Sequence, residues 1–396
     1  MPEMVVIGSN SRRFSPGPVI PILLASARML LPLQAESPAI APATWPQETG
    51  CDPQKSERTI AVEVEPIRLH NVDQMGLLVE TIASVNRIER GPGPNELVFH
   101  RDEGIEIVDD STLELVRRVT EKNRPGFSYS LDGSKSIWLD QKTVVVRDEK
   151  TGAITRINAG EEDLGRPALS PDNEFLVVPE IVYDKNGGEG AGSVYLRVFA
   201  IKSRKLIRKL TIVEGSYGGL TSVFSPDGKT LAVGNRNYRT NLFETANWTL
   251  RHELPRSRTH EIAFSPDGTL LAATYTDGMI ALWSVNSGEI LRTADSGCSQ
   301  IQSLDWNPAG DLLATSGPKG TRIGRHAPNE QRPGKLQLWD PKKLRLVRDL
   351  AYVSQSGSVR FTRDGKHLVA RFKRDNLLPE TKATIWTVRR SLVEGQ

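Results

Sequence analysis

A tight turn of the form Ser-Pro-Asp-Gly, returning along the chain at intervals near forty residues, constrains this sequence more than any other feature. It stands in full at 225–228 and 265–268, and varied at Ser130-Leu131-Asp132-Gly133, Ser170-Pro171-Asp172-Asn173, Asn307-Pro308-Ala309-Gly310 and Thr362-Arg363-Asp364-Gly365. Proline presets φ, aspartate bonds its own backbone and glycine tolerates φ > 0, so each copy reads as a hairpin turn with a mechanism. A weaker copy, Gly93-Pro94-Asn95-Glu96, precedes the apolar triplet Leu97-Val98-Phe99. Counted from second residue to second residue, the intervals are 37, 40, 55, 40, 42 and 55. Most lie near the period of a propeller blade, a unit of four short strands.

Within one copy, Phe264 to Gly288, apolar runs flank the first turn, Thr276-Asp277-Gly278 makes a second, and Ile280 to Ser284 alternates as a half-buried strand should. Three strands therefore follow one another as a meander. The third ends on Leu282-Trp283-Ser284, and related endings occur at Leu338-Trp339-Asp340, Ile385-Trp386-Thr387, Val146-Arg147-Asp148, Leu242-Phe243-Glu244 and Val198-Phe199-Ala200. On these residues the chain resembles the WD-repeat β-propellers, from about Thr59 to the C-terminus. The resemblance implies an all-β fold: a seven-bladed β-propeller of four-stranded antiparallel blades. The sequence departs from the family in one respect, because no Gly-His pair precedes a first strand, and His260 stands only four residues before Phe264. The network that would link that histidine to the turn aspartate and the tryptophan is mostly missing, so packing must hold the blades. A propeller of other ancestry, quinoprotein-like or enzymatic, stays open on that ground.

Beyond the strand expected near Thr384–Val388, only Ser391 to Gln396 remain, too few for a fourth strand of the last blade. Thr59-Ile60-Ala61-Val62-Glu63-Val64-Glu65 alternates apolar and charged residues. It is expected to supply that outer strand and close the ring, removing an exposed sheet edge.

Composition bounds the rest. The 396 residues are 38% hydrophobic and 25% charged, as in an ordinary globular chain. With 51 basic against 48 acidic residues the net charge is +3, too small to imply a nucleic-acid or anionic-membrane partner by bulk attraction. Only Cys51 and Cys298 occur, which excludes a disulfide framework and a paired-cysteine metal site and leaves a single bridge between them open. Residues 1–57 read as a leader and a Pro-rich linker, and 58–396 as the propeller. Arg12 and Arg13 precede an apolar stretch from Val19 to Leu33, and Ala41-Pro42-Ala43 offers a small-residue cleavage pattern, together similar to a bacterial secretory signal. Arg28, Pro21 and Pro32 interrupt that stretch. Export to a periplasm is therefore expected, with a cytoplasmic chain bearing an unstructured leader as the alternative. No uninterrupted apolar run is long enough for a membrane-spanning helix.

Chemistry-bearing motifs are scarce. None of the histidines His70, His100, His252, His260, His326 and His367 is spaced for a metal, and no nucleotide-binding loop, nucleophile elbow or dinucleotide fingerprint occurs. Asp184-Lys185-Asn186-Gly187-Gly188 is faintly similar to a calcium loop, but its twelfth residue is Tyr195 where a bidentate glutamate is needed. No cofactor and no metal is expected, and the tryptophans read as blade structure. One alternative is a hydrolase or lactonase-like enzyme with a site in the central channel, since propeller enzymes assemble sites from distant loops; another is an exported sensor or assembly subunit.

Charge placement is more informative. In propellers of this family the loops joining second and third strands emerge on one face, opposite the Pro-Asp-Gly turns. Here such a loop, Ser316 to Lys335, carries Lys319, Arg322, Arg325, Arg332 and Lys335 against Glu330 alone, with His326 among them. Arg371, Lys373, Arg374 and Lys382 in the last repeat face only Asp375 and Glu380, and Arg236 and Arg239 add to the same side. Arginine outnumbers lysine, which favours bidentate recognition of carboxylate or phosphate. The expected function is a non-catalytic scaffold that binds an acidic protein segment through Lys319, Arg322, Arg325, His326, Arg332, Arg371, Lys373 and Arg374. The bland alternative is a set of solvated loops. Nucleic acid is not expected, because only Tyr238 and Phe372 could stack bases nearby. Oligomeric state is not legible in the sequence.

Overall fold

The computed structural model of the protein describes residues 59–66, 85–120, 124–160, 162–183, 192–214, 220–235, 239–255, 258–320, 334–353, 355–373 and 381–393. All fall within one compact unit, Ser56–Gln396. Strand β1 (Thr59–Pro66) leads. A first sheet follows in chain order: β2 (Val85–Arg90), β3 (Glu96–Arg101), β4 (Ile105–Asp109) and β5 (Leu115–Thr120). The second is β6 (Ser128–Tyr129), β7 (Lys135–Asp140), β8 (Thr143–Asp148) and β9 (Ile154–Asn158). Next come β10 (Asp163–Leu164), β11 (Ala168–Leu169), β12 (Phe175–Tyr183), β13 (Gly192–Ala200) and β14 (Lys205–Glu214). A fourth sheet holds β15 (Leu220–Phe224), β16 (Thr230–Asn235), β17 (Arg239–Glu244) and β18 (Thr249–Pro255). A fifth holds β19 (Thr259–Phe264), β20 (Leu270–Tyr275), β21 (Met279–Ser284) and β22 (Ile290–Asp295). A sixth holds β23 (Ser303–Trp306), β24 (Leu313–Pro318), β25 (Gly334–Asp340) and β26 (Arg345–Val353). The last contains β27 (Gln355–Phe361), β28 (His367–Lys373) and β29 (Thr381–Val393), with β1 as its fourth strand.

The protein is thus an all-β propeller built from four-stranded antiparallel blades. Seven four-stranded blades are expected from the sequence, and here the structure differs. Among the described residues six sheets have four strands, whereas the third has five, because β10 and β11 both pair with β12. The split falls at Gly165-Arg166-Pro167. Pro167 has no N–H to donate to a ladder, and the Gly165 N–H turns instead to the Pro179 carbonyl at 2.8 Å. At the chain ends, β1 runs antiparallel to β29, with Thr59 opposite Val393 and Pro66 opposite Trp386.

The second strands carry buried apolar residues on both sides because both faces of the sheets are covered. Consecutive strand residues point to opposite faces, and the packing follows. Leu176 and Val178 meet Ile137 and Val144 of the second sheet, while Val177 between them meets Phe224 and Leu231 of the fourth. Ala232 and Leu242 pack on Ile262 and Leu271; Ala272 and Leu282 on Leu304 and Trp306; Leu336 and Leu338 on Val359 and Phe361. Val98, Ile105 and Ile107 of the first sheet enclose Phe127 before the second. The opposite face of the first sheet, with Ile88, Leu97 and Phe99, buries Val369 of the last.

The turns between first and second strands repeat one hydrogen-bonded device. In each complete copy the hydroxyl of Ser or Thr donates to the turn aspartate, as Ser225 to Asp227 at 2.6 Å and Thr362 to Asp364 at 2.7 Å. The same aspartate oxygen accepts the backbone N–H two residues on, from Lys229 at 3.0 Å and Lys366 at 2.9 Å. In the sixth sheet Asn307 replaces the serine and takes the N–H of Leu312 at 2.9 Å. Successive turns also touch. A Cβ on Gly228, Gly268 or Gly310 would lie 3.4–3.5 Å from Pro171, Pro226 or Pro266 of the preceding turn. Asn173, at φ 59°, occupies the glycine position of the third sheet, and its Nδ2 donates to Asp132 Oδ2 of the preceding turn at 3.1 Å. Arg363 stands in the proline position of the last sheet and donates to the Gly91 carbonyl of the first at 2.8 Å.

Indole hydrogen bonds survive without the missing histidine. Trp339 Nε1 donates to Thr315 Oγ1 at 2.9 Å and Trp283 Nε1 to Tyr275 OH at 3.1 Å. Cys298 is a buried free thiol, and its proposed partner Cys51 lies outside the described residues.

Gly133 has φ +72° and a Cβ there would lie 2.3 Å from the Pro92 carbonyl oxygen, whereas Gly152, also at φ +72°, has nothing within 4 Å. Gly152→Ala should cost about 1 kcal/mol from backbone strain alone, and Gly133→Ala at least about 2 kcal/mol more, read from urea midpoints. Asp110 sits where the first sheet meets the turn of the last. Burial, then Asp364 and Asp109, raise its pKa from 3.8 to about 6. A raised carboxylate pKa favours the folded state below the unfolded value and loses that contribution as pH rises through 6. Asp110→Asn should match the wild type near pH 4 and exceed it by about 2 kcal/mol at pH 8, in denaturant titrations at both pH values.

Candidate functional site

The long connections do join second to third strands, as expected: 319–333 between β24 and β25, and 374–380 between β28 and β29. Arg322, Arg325, His326, Arg332 and Arg374 lie outside the described residues, as do Arg236, the Asp184 loop and the Lys373 side chain. Lys319 is exposed and opens the longer loop. Three other cations counted on this side are already engaged. Lys335 is largely buried and donates to the Ser296 carbonyl at 3.0 Å. Arg239 is paired with Glu253. Arg371 donates through Nη1 to the Asn86 carbonyl at 3.0 Å, tying β28 to β2, with Asp102 nearby. Its placement is that of a joint between sheets.

A second cationic group, on the inner strands, was not singled out from sequence. Glu89 on β2 is almost fully buried, and its Oε1 receives both Arg87, two residues earlier on the same strand, and Arg166 from the break between β10 and β11. The first and third sheets are not neighbours in the chain order, so Arg166 reaches past the inner edge of the second. The inner strand of the second sheet, β6, has only two residues, and the Pro167 ring packs against Gly126 before it. Arg360 on β27 also acts on the Glu89 carboxylate, while its Nη1 donates to Ser303 Oγ at 3.2 Å and the Val359 carbonyl. His100 Nε2 lies 3.7 Å from Glu89 Oε2, outside hydrogen-bond reach, and its ring meets Phe127 edge-on at 6.0 Å. Burial pushes the Glu89 pKa up, but Arg87, His100 and Arg360 outweigh it and bring it down to about 2. The signal in the sequence is Asn-Arg-Ile-Glu-Arg at 86–90: charges through the middle of a strand with both faces covered. Arg90, at its end, turns the other way, to Asp305 at 2.9 Å and the Trp306 carbonyl of the sixth sheet.

Among the described residues no group of three or more His, Cys, Asp or Glu side chains is placed to hold a metal ion. Nor is any helix there long and apolar enough to cross a membrane.

Residues 245–309, from the end of the fourth sheet through the fifth to the start of the sixth, match the family described as the anaphase-promoting complex subunit 4 WD40 domain. That match supports a WD-repeat β-propeller. It is similar to Protein HIR1 of Candida albicans, 26% identical over 147 residues, covering 32% of this chain and 16% of that protein. Minichromosome loss protein 1 of Schizosaccharomyces pombe is 24% identical over 204 residues, 49% of this chain and 23% of the relative. WD repeat-containing protein VIP3 of Arabidopsis thaliana is 26% identical over 204 residues, 48% of this chain and 57% of the relative. The chain spans less than two thirds of the length of each. These relatives are eukaryotic, so they lend nothing to the bacterial character expected of the leader, which lies outside the described residues.

The depressed Glu89 pKa sets an acid dependence for the propeller. A carboxylate shifted from 4.5 to about 2 contributes stability above its unfolded pKa and loses it as pH falls through 2. Glu89→Gln should therefore be less stable than wild type by about 2–3 kcal/mol at pH 7, and the gap should close between pH 4 and pH 2. Parallel urea melts across that range measure it.

Proposed function

We propose that this WD-repeat propeller is a non-catalytic interaction scaffold that captures an acidic protein segment on the loops joining second and third strands. We further propose that its sheets close into a seven-membered ring. Three observations support closure: β1 pairing with β29, the burial of Val369 against the first sheet, and Arg90 and Arg363 crossing between the chain's ends. The observation carrying the scaffold reading is an asymmetry between the two ends of the sheets. At one end the turns share a device and pack on one another, leaving little room to vary. At the other the connections range from the short turn after β20 to the loop at 319–333. Variable loops on a rigid frame are where binding residues accumulate. The relatives' WD repeats point the same way, toward protein partners. Arg371, engaged with Asn86, serves the frame rather than the acidic segment in this reading. Lys319, Arg322, Arg325, Arg332 and Arg374 carry the charge, with His326 and Lys373 beside them.

Replacing those five cations with glutamine should weaken capture of a labelled oligoglutamate peptide by about tenfold or more and flatten its salt dependence. Fluorescence anisotropy across a salt series reads both. An unchanged affinity and slope would remove this face as the docking surface. Metal analysis of the purified protein addresses the hydrolase alternative: a tightly bound stoichiometric metal would favour the enzyme.

A further inference from the structure

We propose that the inner-strand cluster of Arg87, Arg166 and Arg360 around Glu89 is a binding site for a small oxyanion, a phosphate or carboxylate group. Two guanidiniums, of Arg87 and Arg166, meet on one carboxylate oxygen of Glu89, and the Arg360 guanidinium acts on the same carboxylate through its charge. They come from the inner strands of the first and last sheets and from the broken inner segment of the third, so they converge from three directions. A cluster with two surplus positive charges, partly shielded from water, is stabilised by an added anion more than a surface array would be. The site is also open enough to receive one: the Arg87 and Arg166 side chains remain 41% and 30% exposed.

Two further observations point to a ligand. His100 Nε2 is buried at this cluster and faces Glu89 Oε2 at 3.7 Å, too far for a hydrogen bond of ordinary length, so its bonding capacity there is left over for a closer acceptor. Arg166 is delivered by a departure from the repeat, the Gly-Arg-Pro break that costs the third sheet a continuous inner strand. Packing alone would be served better by an unbroken strand. Guanidinium forks match the geometry of phosphate and carboxylate oxygens. Glu89 acts as an internal competitor: it holds Arg87 and Arg166 in place when the site is empty and lowers affinity when an anion arrives. The inference is independent of acidic-segment capture, because none of these residues belongs to the loops joining second and third strands.

The test titrates the full chain with inorganic phosphate, and separately with acetate, at constant ionic strength maintained by chloride. Isothermal calorimetry reads stoichiometry and affinity. Saturable binding at one ion per chain is expected. Arg166→Gln should weaken it about tenfold, the weight of one charge-assisted hydrogen bond. Glu89→Gln should tighten it severalfold, because two guanidiniums are returned to the ligand. Arg87→Lys, which keeps the charge but loses the fork, should weaken phosphate more than acetate and serves where a glutamine variant fails to fold. Saturation by phosphate alone would assign a tetrahedral anion, and saturation by acetate alone a carboxylate. Absence of saturable binding by either in the wild-type chain would overturn the site, as would affinities that Arg166→Gln and Glu89→Gln leave unchanged.

Discussion

Burial of both faces of every sheet is the constraint on which this structure depends. A single antiparallel sheet can leave one face in water, but here Leu176 and Val178 point one way and Val177 the other, and each finds a neighbouring sheet. A sheet so placed needs a partner on both sides, and the chain answers by repeating the unit. Stability in such an array is a sum of nearest-neighbour contacts. The hydrogen-bonded network of histidine, turn aspartate and tryptophan is therefore dispensable: Trp283 and Trp339 find Tyr275 and Thr315, and the apolar faces do the rest.

That packing leaves the two ends of the sheets with unequal freedom. The Ser-Pro-Asp-Gly turns saturate their own backbone groups and rest on the turn before, so Gly133 against Pro92 or Asn173 against Asp132 is part of the frame. At the opposite end the connections differ in length from sheet to sheet, and the sequence there gathers charge. Cations close to the sheets are drawn into the frame all the same. Lys335, Arg239 and Arg371 each satisfy a neighbouring carbonyl or carboxylate. Charge counted along the chain therefore overstates what a partner meets.

Departures from the repeat collect at the inner edge of the second and third sheets. A two-residue β6 and the break at Arg166 open a path between sheets that are not neighbours, and Glu89 fills it with ion pairs in place of apolar contacts. Such a cluster is costly to build and costly to break. Its position on the inner strands lets it draw on the first, third and last sheets together.

The repeat itself was legible in the chain. Turn residues, the apolar second strands and the Trp-Asp ending at 339–340 depend on local rules, in which a residue's preference for φ or for burial acts over a few positions. The fourth strand expected of Thr59–Glu65 also followed from alternation, and β1 does pair with β29. What only the tertiary structure decided is which sheets depart from the pattern and which charges meet. Nothing local announces that Arg166 will lie on Glu89, 77 residues away, or that Arg371 will bond Asn86. Those contacts are set by how neighbouring sheets stack, and a long flexible side chain takes whatever partner the stacked backbone brings within its reach.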